Sequence, residues 1–350
     1  MSTPEQAHPE HSDPAHPGHP AHHHHAATRE RTTLPLALFG MPLGVIGLAG
    51  GWYAARTDLG APAWPDEVLY GIGTALWIVL SVVYIVSGLR ATTGGFRSDL
   101  KHPVFGPFAA YIPLIGILVA GHYSLYLPNA GPWVTFAAVA ALAIVAAQLV
   151  SHWMTGGIRL QDFHPGYFVP VVAGANVASI GLSQIGQHDA AIGAFAAGLF
   201  FWLVIGTAVI VRLVAHEPLP VPLRPALSAF LAAAATSSLA WIISHPGPID
   251  EVQLGLTGIL VIMLVVQFLL IPEYGKLRLG FSFWIFTFPI ASTTNYAVRF
   301  FTTTHLIGWQ AWAWGILGAA TVFVVVVALG SIPRGRRTEK PRAQDAPAPA

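Results

Sequence analysis

The sequence predicts an all-α polytopic membrane protein. Apolar segments follow one another from about residue 34 to residue 332, and each has the length of about 20 residues that crosses a hydrocarbon core. Charged residues make up only 9% of the 350 residues, whereas soluble domains carry about 25%. Because backbone polar groups in lipid must be paired within the protein, these spans are predicted to be helices.

Turn signals divide the apolar region into ten predicted spans. Gaps that contain proline and small residues separate neighbouring segments, as at 61–65 and 245–248. The predicted spans are 34–55, 67–89, 104–126, 132–152, 165–186, 189–214, 225–244, 250–272, 281–303 and 308–331. Residues 34–332 are therefore predicted to form one ten-helix transmembrane domain.

The basic residues support this count and indicate the orientation. All but two of the 17 Lys and Arg residues lie in the tails or at the alternate gaps that would share one membrane face. The opposite face has Arg56 and Arg299. Because Lys and Arg concentrate in cytoplasmic loops, both termini are predicted to be cytoplasmic, in a protein of the plasma membrane.

The two tails are predicted to lie outside the membrane. Residues 1–33 hold half of the 16 histidines among Pro, Ala and Glu. We expect a disordered cytoplasmic tail here, with weak binding of Zn, Ni or Cu by the imidazoles as the alternative. Residues 333–350 are basic and then rich in Ala and Pro, and the basic part is expected to contact anionic headgroups.

The middle of every predicted span lacks Asp, Glu, Lys and Arg. Proton-coupled pumps place ionisable groups inside the membrane, so the pattern favours a channel. A proton-coupled secondary carrier for C4-dicarboxylates such as malate is the alternative. The chain also lacks cysteine and the H-E-x-x-H, G-x-S-x-G and phosphate-loop motifs. We therefore predict no enzyme, no metal site, no cofactor and no nucleic-acid partner.

Histidines near the span ends are predicted to be structural. His102-Pro103 and His164-Pro165 open the third and fifth spans alike. The alternative is a haem centre, which needs histidines that face one another at one depth. His102, His152 and His164 share a predicted level, but two of them belong to the repeated His-Pro motif.

Four of the five odd-numbered spans carry a proline among small residues, namely Pro42, Pro113, Pro170 and Pro289. A proline inside a helix frees a carbonyl and bends the helix. Membranes tolerate this where the carbonyl is buried in protein or faces a water-filled cavity. The alternation predicts five hairpins whose kinked odd helices form an inner ring. Proline is also simply common in membrane helices, which is the alternative explanation. Span seven departs from the pattern, because its Pro225 lies at the start of the span.

These motifs resemble the tellurite-resistance/dicarboxylate transporter family, which includes bacterial TehA proteins, yeast malate transporters and plant slow-type anion channels. The matching stretches are FGMPLG at 39–44, HPVF at 102–105, HPGYFVP at 164–170 and FSFWIFTFP at 281–289. The resemblance implies ten helices in five hairpins with quasi-five-fold symmetry around a central pore. It also implies a homotrimer with one pore per subunit, and transport of small inorganic anions or dicarboxylates, with tellurite resistance as an associated property.

In that family a phenylalanine on the ninth helix plugs the pore. The resemblance assigns this role to Phe288, with Phe286 and Phe283 as the competing positions. A buried aromatic ring is suited to it, because it closes an apolar constriction by filling space and excluding water.

Anion preference without fixed charge is expected to come from hydroxyls that line the pore. The candidates are Ser179, Ser183, Thr236, Ser237, Ser238, Ser292, Thr293 and Thr294. Their alternative role is to bond the carbonyls of their own helices. Arg299 and Arg56 are predicted to draw anions to the outer mouth of the pore.

Overall fold

The computed structural model describes residues 34–91 and 95–332, so the predictions for the tails 1–33 and 333–350 lie outside the described residues. Over this part the chain forms helices joined by turns, with no strand. Its ten long helices are α1 (Gly40–Leu59), α2 (Trp64–Arg90), α3 (Tyr111–Tyr123), α4 (Gly131–Met154), α5 (Gly174–Gln184), α6 (His188–Ala215), α7 (Ala229–Ser244), α8 (Glu251–Leu269), α9 (Trp284–Thr304) and α10 (Trp309–Gly330).

Each predicted span overlaps one of these helices. Within the described ranges, nine helical stretches are long and apolar enough to cross a membrane. The helix outside this set is α9, which has 21 residues but carries Ser292, Thr293, Thr294 and Asn295 in its middle. These polar side chains lower its hydropathy. The protein is therefore an all-α polytopic membrane protein, as predicted.

The odd-numbered helices form a closed ring. Helix α1 packs on α3 and α9, while α5 and α7 complete the ring between them. Each even-numbered helix packs on the odd-numbered helix that precedes it in the chain. The even-numbered helices also carry most of the exposed large apolar side chains, such as Leu89, Phe200 and Phe268. The described helices thus form five hairpins with the odd members inside.

A short 3-10 segment precedes each odd-numbered helix on the predicted cytoplasmic side. These leading segments are Leu36–Phe39, Gly106–Ala110, Pro165–Tyr167, Val221–Ser228 and Phe281–Phe283. A 3-10 turn is tighter than an α-helical turn, and it is common at the ends of α-helices. The repeat seen in the sequence therefore includes the way in which each inner helix begins.

The prolines lie close to these leading segments, within the first turns of the odd-numbered spans. Pro42 and Pro113 lie in the first turns of α1 and α3, where a missing N–H breaks few helical bonds. Pro170 lies in a π-helical turn, Val169–Ala173, and Pro289 lies inside α9. Pro225 lies in the leading segment of α7, so span seven resembles the other odd spans more than its sequence indicates.

Candidate functional site

Two small cavities lie inside the ring of odd-numbered helices. The inner cavity, nearer the leading segments, has a volume of about 30 Å³, and the outer cavity has a volume of about 40 Å³. All five odd-numbered helices contribute residues to the outer cavity, and each of these helices or the turns just before it contributes residues to the inner cavity. A third cavity of about 240 Å³ extends from the inner cavity towards the predicted cytoplasmic side. The ring therefore encloses a row of spaces from one face towards the other.

Phe288 lies between the inner and the outer cavity. Among the described residues it alone lines both, and its exposed fraction is 8%. The wall around the inner cavity is mostly apolar and includes Leu43, Phe108 and Leu114. An aromatic ring at such a narrow apolar point fills space and excludes water.

The two competing phenylalanines lie elsewhere. The Phe286 ring contacts the rings of Tyr274 and Phe283, with centroid distances of 4.7 and 5.5 Å. Phe286 and Phe283 line a separate apolar cleft of about 580 Å³ on the side of α9 that also borders α8. Neither residue lines the inner or the outer cavity. Of the three phenylalanines, the geometry therefore favours Phe288 as the residue that separates the inner cavity from the outer cavity.

One face of α9 continues from Phe288 along the outer cavity. Phe288, Ser292, Asn295 and Arg299 follow one another at spacings of i, i+4, i+7 and i+11, and all four line the cavity. This spacing places them on one side of an α-helix. The sequence analysis missed Asn295, although the same spacing would have shown it once Phe288 and Arg299 were taken as ends of one stripe.

Glycines of α1 face this stripe. A Cβ atom added at Gly47 would lie 3.1 Å from the Phe288 ring, and one added at Gly50 would lie 2.8 Å from Asn295 Nδ2. One turn earlier, a Cβ atom at Gly44 would overlap the Thr287 side chain. Small residues of this kind let membrane helices approach closely.

Of the predicted hydroxyls, Thr236 and Ser292 line the outer cavity. Thr236 donates to the Ala232 carbonyl at 2.7 Å, and Ser292 donates to the Phe288 carbonyl at 2.8 Å. Their hydrogen atoms are therefore used within their own helices, which is the alternative role considered for them. Either hydroxyl would have to rotate before it could donate to an anion.

The other predicted hydroxyls do not line the inner or the outer cavity; they are Ser179, Ser183, Ser237, Ser238, Thr293 and Thr294. Thr293 and Thr294 follow Ser292 directly, and successive helical residues turn by about 100°, so they point away from the face that carries Phe288. Both donate to carbonyls of α9. Ser237 accepts a hydrogen bond of 2.8 Å from Asn176, which is buried beside it.

The two arginines predicted at the outer mouth have different surroundings. Arg56 lies 3.2 Å from Asp66 and 3.0 Å from Glu67, and its guanidinium lies over the Tyr53 ring. These carboxylates neutralise its charge, and Arg56 does not line the outer cavity. Arg299 does line it. The first turn of α2 brings the carboxylates to Arg56, which the chain spacing did not reveal.

Arg56, Asp66, Glu67 and His122 form a cluster that we call the outer acid–base cluster. Asp66 is fully buried, although it lies at a helix end, and His122 is 2% exposed. His122 Nε2 lies 3.3 Å from Glu67 Oε2. The His122 ring stacks on Tyr70, which lines the outer cavity, at a centroid distance of 3.6 Å. The burial of these groups depends on the packing of α1, α2 and α3 and could not be read from the sequence.

The histidines of the repeated His-Pro motif bond the turns that follow them. His102 Nδ1 accepts from the backbone N–H groups of Val104 and Phe105. His164 Nδ1 accepts from the Gly166 N–H, and its Nε2 lies 3.1 Å from the Val104 carbonyl. This pattern fits a neutral ring that donates from Nε2, and burial lowers the pKa of His164 to about 4. Their predicted structural role is confirmed.

The second and third odd-numbered helices are tied together at these starts. The Tyr167 hydroxyl donates to the Pro103 carbonyl at 2.8 Å, next to the bond between His164 and Val104. Tyr167 is itself fully buried. The leading segment of α5 is thus bonded directly to the turn that begins the α3 repeat.

Comparison with known proteins identifies the family to which this chain belongs. A family profile described as SLAC1, voltage-dependent anion channel, matches residues 33–332. The tellurite resistance protein TehA homolog of Haemophilus influenzae is 24% identical over 306 residues, which are 87% of this chain and 92% of that protein. The S-type anion channel SLAH2 of Arabidopsis thaliana is 26% identical over 309 residues, 84% of this chain and 57% of that protein.

A second plant relative, the S-type anion channel SLAH3, is 23% identical over 310 residues, 85% of this chain and 48% of that protein. The chain thus spans about half the length of these plant relatives. The profile match covers the whole helical region with its ring and its divided cavity. The chain belongs to the SLAC1 family of voltage-dependent anion channels.

Proposed function

We propose that this protein conducts small inorganic anions across the plasma membrane through a pore inside the ring of odd-numbered helices, and that Phe288 closes this pore. The observation that carries the proposal is the position of Phe288 as the residue that lines both the inner and the outer cavity. The names of the relatives, which are anion channels and a tellurite resistance protein, support the same chemistry.

The size of the outer cavity favours small anions over dicarboxylates. Its volume of about 40 Å³ has room for about three ordered waters, since each needs 10–15 Å³ on this measure. Chloride or nitrate would fit, whereas a four-carbon dicarboxylate would need the surrounding helices to move apart. Tellurite resistance would then follow from handling of an oxyanion rather than from a dedicated activity.

A proton-coupled carrier for C4-dicarboxylates such as malate is the second candidate. The outer acid–base cluster favours it, because Asp66 and His122 are buried ionisable groups beside the outer cavity. Transporters use such groups as proton relays. The cluster lies at one end of the helices, however, and no equivalent was found at the level of Phe288 among the described residues.

The surroundings of the pore are part of the proposal. The exposed apolar side chains of the even-numbered helices fit contact with lipid or with other subunits, and we infer a homotrimer with one pore per subunit. Both termini are cytoplasmic in this proposal. Conduction of this kind needs no catalytic residue and no cofactor.

The test is anion current from purified protein in planar bilayers, with chloride, nitrate and malate in turn. Currents of chloride and nitrate that follow the applied voltage without a pH gradient are expected. Malate uptake that requires a proton gradient, in the absence of any such current, would instead establish the carrier.

A further inference from the structure

We propose that Arg299 and Asn295 form an anion-binding site in the outer cavity, which selects a small inorganic anion before it reaches Phe288. The inference rests on the proposed function, because it names the residues that would bind the conducted ion. It goes further in assigning selectivity to one charged group and one amide rather than to a ring of hydroxyls.

The position of the two residues places the site directly in front of the plug. Asn295 and Arg299 share the face of α9 that carries Phe288, and all three line the outer cavity. With a rise of 1.5 Å per residue, Asn295 lies about 10 Å and Arg299 about 16 Å beyond Phe288 along the helix. An ion that enters from the outer side therefore meets both residues before it meets the Phe288 side chain.

The hydrogen bond from Arg299 occupies the oxygen of the Asn295 amide and leaves its Nδ2 group as a donor. Arg299 Nε donates to Asn295 Oδ1 at 3.1 Å, and this bond identifies the oxygen end of the amide. The Nδ2 group then points the other way, and it has no hydrogen-bond acceptor within the described part of the chain. It is a neutral N–H donor available to an anion.

The guanidinium of Arg299 also keeps donors available. Its nearest carboxylate is Asp58, and the distance from Arg299 Nη1 to Asp58 Oδ2 is 3.9 Å, beyond hydrogen-bonding range. Arginine has five N–H donors, and one of them bonds Asn295. The side chain is 21% exposed, so a small anion can approach it.

Gly50 keeps space in front of the amide. A Cβ atom at this position would lie 2.8 Å from Asn295 Nδ2 and 3.8 Å from the Tyr70 hydroxyl. Gly50, Tyr70 and Asn295 all line the outer cavity. The glycine thus leaves open the place where an ion bound to Nδ2 would lie.

Arg56, the other arginine of the predicted outer face, does not supply positive charge to the site. Arg56 is held by Asp66 and Glu67 at 3.2 and 3.0 Å and does not line the cavity. Of the groups that do line it, Arg299 is the one cation within the described residues. The two arginines of the predicted outer face therefore differ, because Arg56 belongs to a neutralised cluster and Arg299 faces the pore.

The experiment measures chloride current against chloride concentration in planar bilayers for the wild type and for Arg299→Gln. A charge-assisted hydrogen bond is worth at least about a tenfold change in binding. The half-saturating chloride concentration is expected to rise at least about tenfold in Arg299→Gln. Asp58→Asn, which removes the competing carboxylate, should change the half-saturating concentration in the opposite direction.

Two further variants keep the result interpretable. The double variant Arg56→Gln/Glu67→Gln removes one cation and its carboxylate partner, keeps the net charge of the outer acid–base cluster, and should leave half-saturation unchanged. Asn295→Asp is isosteric and places a carboxylate against Arg299, so it should weaken chloride binding even if Arg299→Gln does not fold. Wild-type current with unchanged half-saturation in both Arg299→Gln and Asn295→Asp would overturn the binding site. Absence of wild-type current would instead overturn the proposed function.

Discussion

Replacing Phe288 with alanine should open the pore, and the size of the effect follows from burial. An aromatic side chain that is 8% exposed buries about 150 Å². If opening exposes about half of that surface, it costs about 2 kcal/mol at about 25 cal/mol per Å². The pore would then be open about 3% of the time, and Phe288→Ala should raise chloride current about 30-fold.

The assay compares single-channel and macroscopic chloride currents of reconstituted wild type and Phe288→Ala, normalised to the amount of protein. Phe286→Ala is the matched control. Phe286 is 7% exposed and lies two residues away on the same helix, but it faces the cleft beside α8. Both substitutions should lower stability by about 3 kcal/mol, near the low end for Phe→Ala in a core.

Only Phe288→Ala should raise the current, and this separates gating from loosened packing. Equal currents in wild type and folded Phe288→Ala would refute the assignment of the plug. A larger current in Phe286→Ala alone would show that the helix presents a different face to the pore.

Three other outcomes test the fold and the tails. Gly44→Ala should lower the thermal stability in detergent by about 1–3 kcal/mol, because the new Cβ would overlap Thr287; Gly71→Ala, which meets no neighbour, should not. The hydrogen bond from the first turn of α8 lowers the pKa of Asp250, so its stabilising effect is complete above the unfolded pKa of about 4 and is lost as pH falls through the folded value. Asp250→Asn should therefore make the melting temperature depend less on pH between pH 5 and 3. An unchanged pH dependence would show that the hydrogen bonds of Asp250 are not its cause. Removal of residues 1–33 should leave chloride current intact, and a lost current would reveal a role for the histidine tail.

Hydropathy and charge predicted the membrane helices because each span must satisfy the same lipid environment independently of its neighbours. The ring could be predicted only in part. Prolines marked the odd helices, but the 3-10 segments that precede them depend on tertiary packing, and Pro225 was therefore misread as an exception.

Side-chain partners were the least predictable part of the candidate site. Arg56 and Arg299 look equivalent in the sequence, and only the fold brings Asp66 to one of them. Hydroxyl content likewise marked α9 as polar without distinguishing Ser292 from Thr293, which differ by one step of helical rotation. Periodicity read from Phe288 would have made that distinction, and it would also have identified Asn295.

The bonds between neighbouring leading segments have a mechanical consequence. His164 and Tyr167 hold the turn at Pro103 and Val104 by two side-chain bonds, so these two hairpins cannot slide apart at that face without breaking them. Stretching the bilayer would have to break this fastening before it could widen the ring there. This contact between the second and third odd-numbered helices should accordingly resist membrane tension.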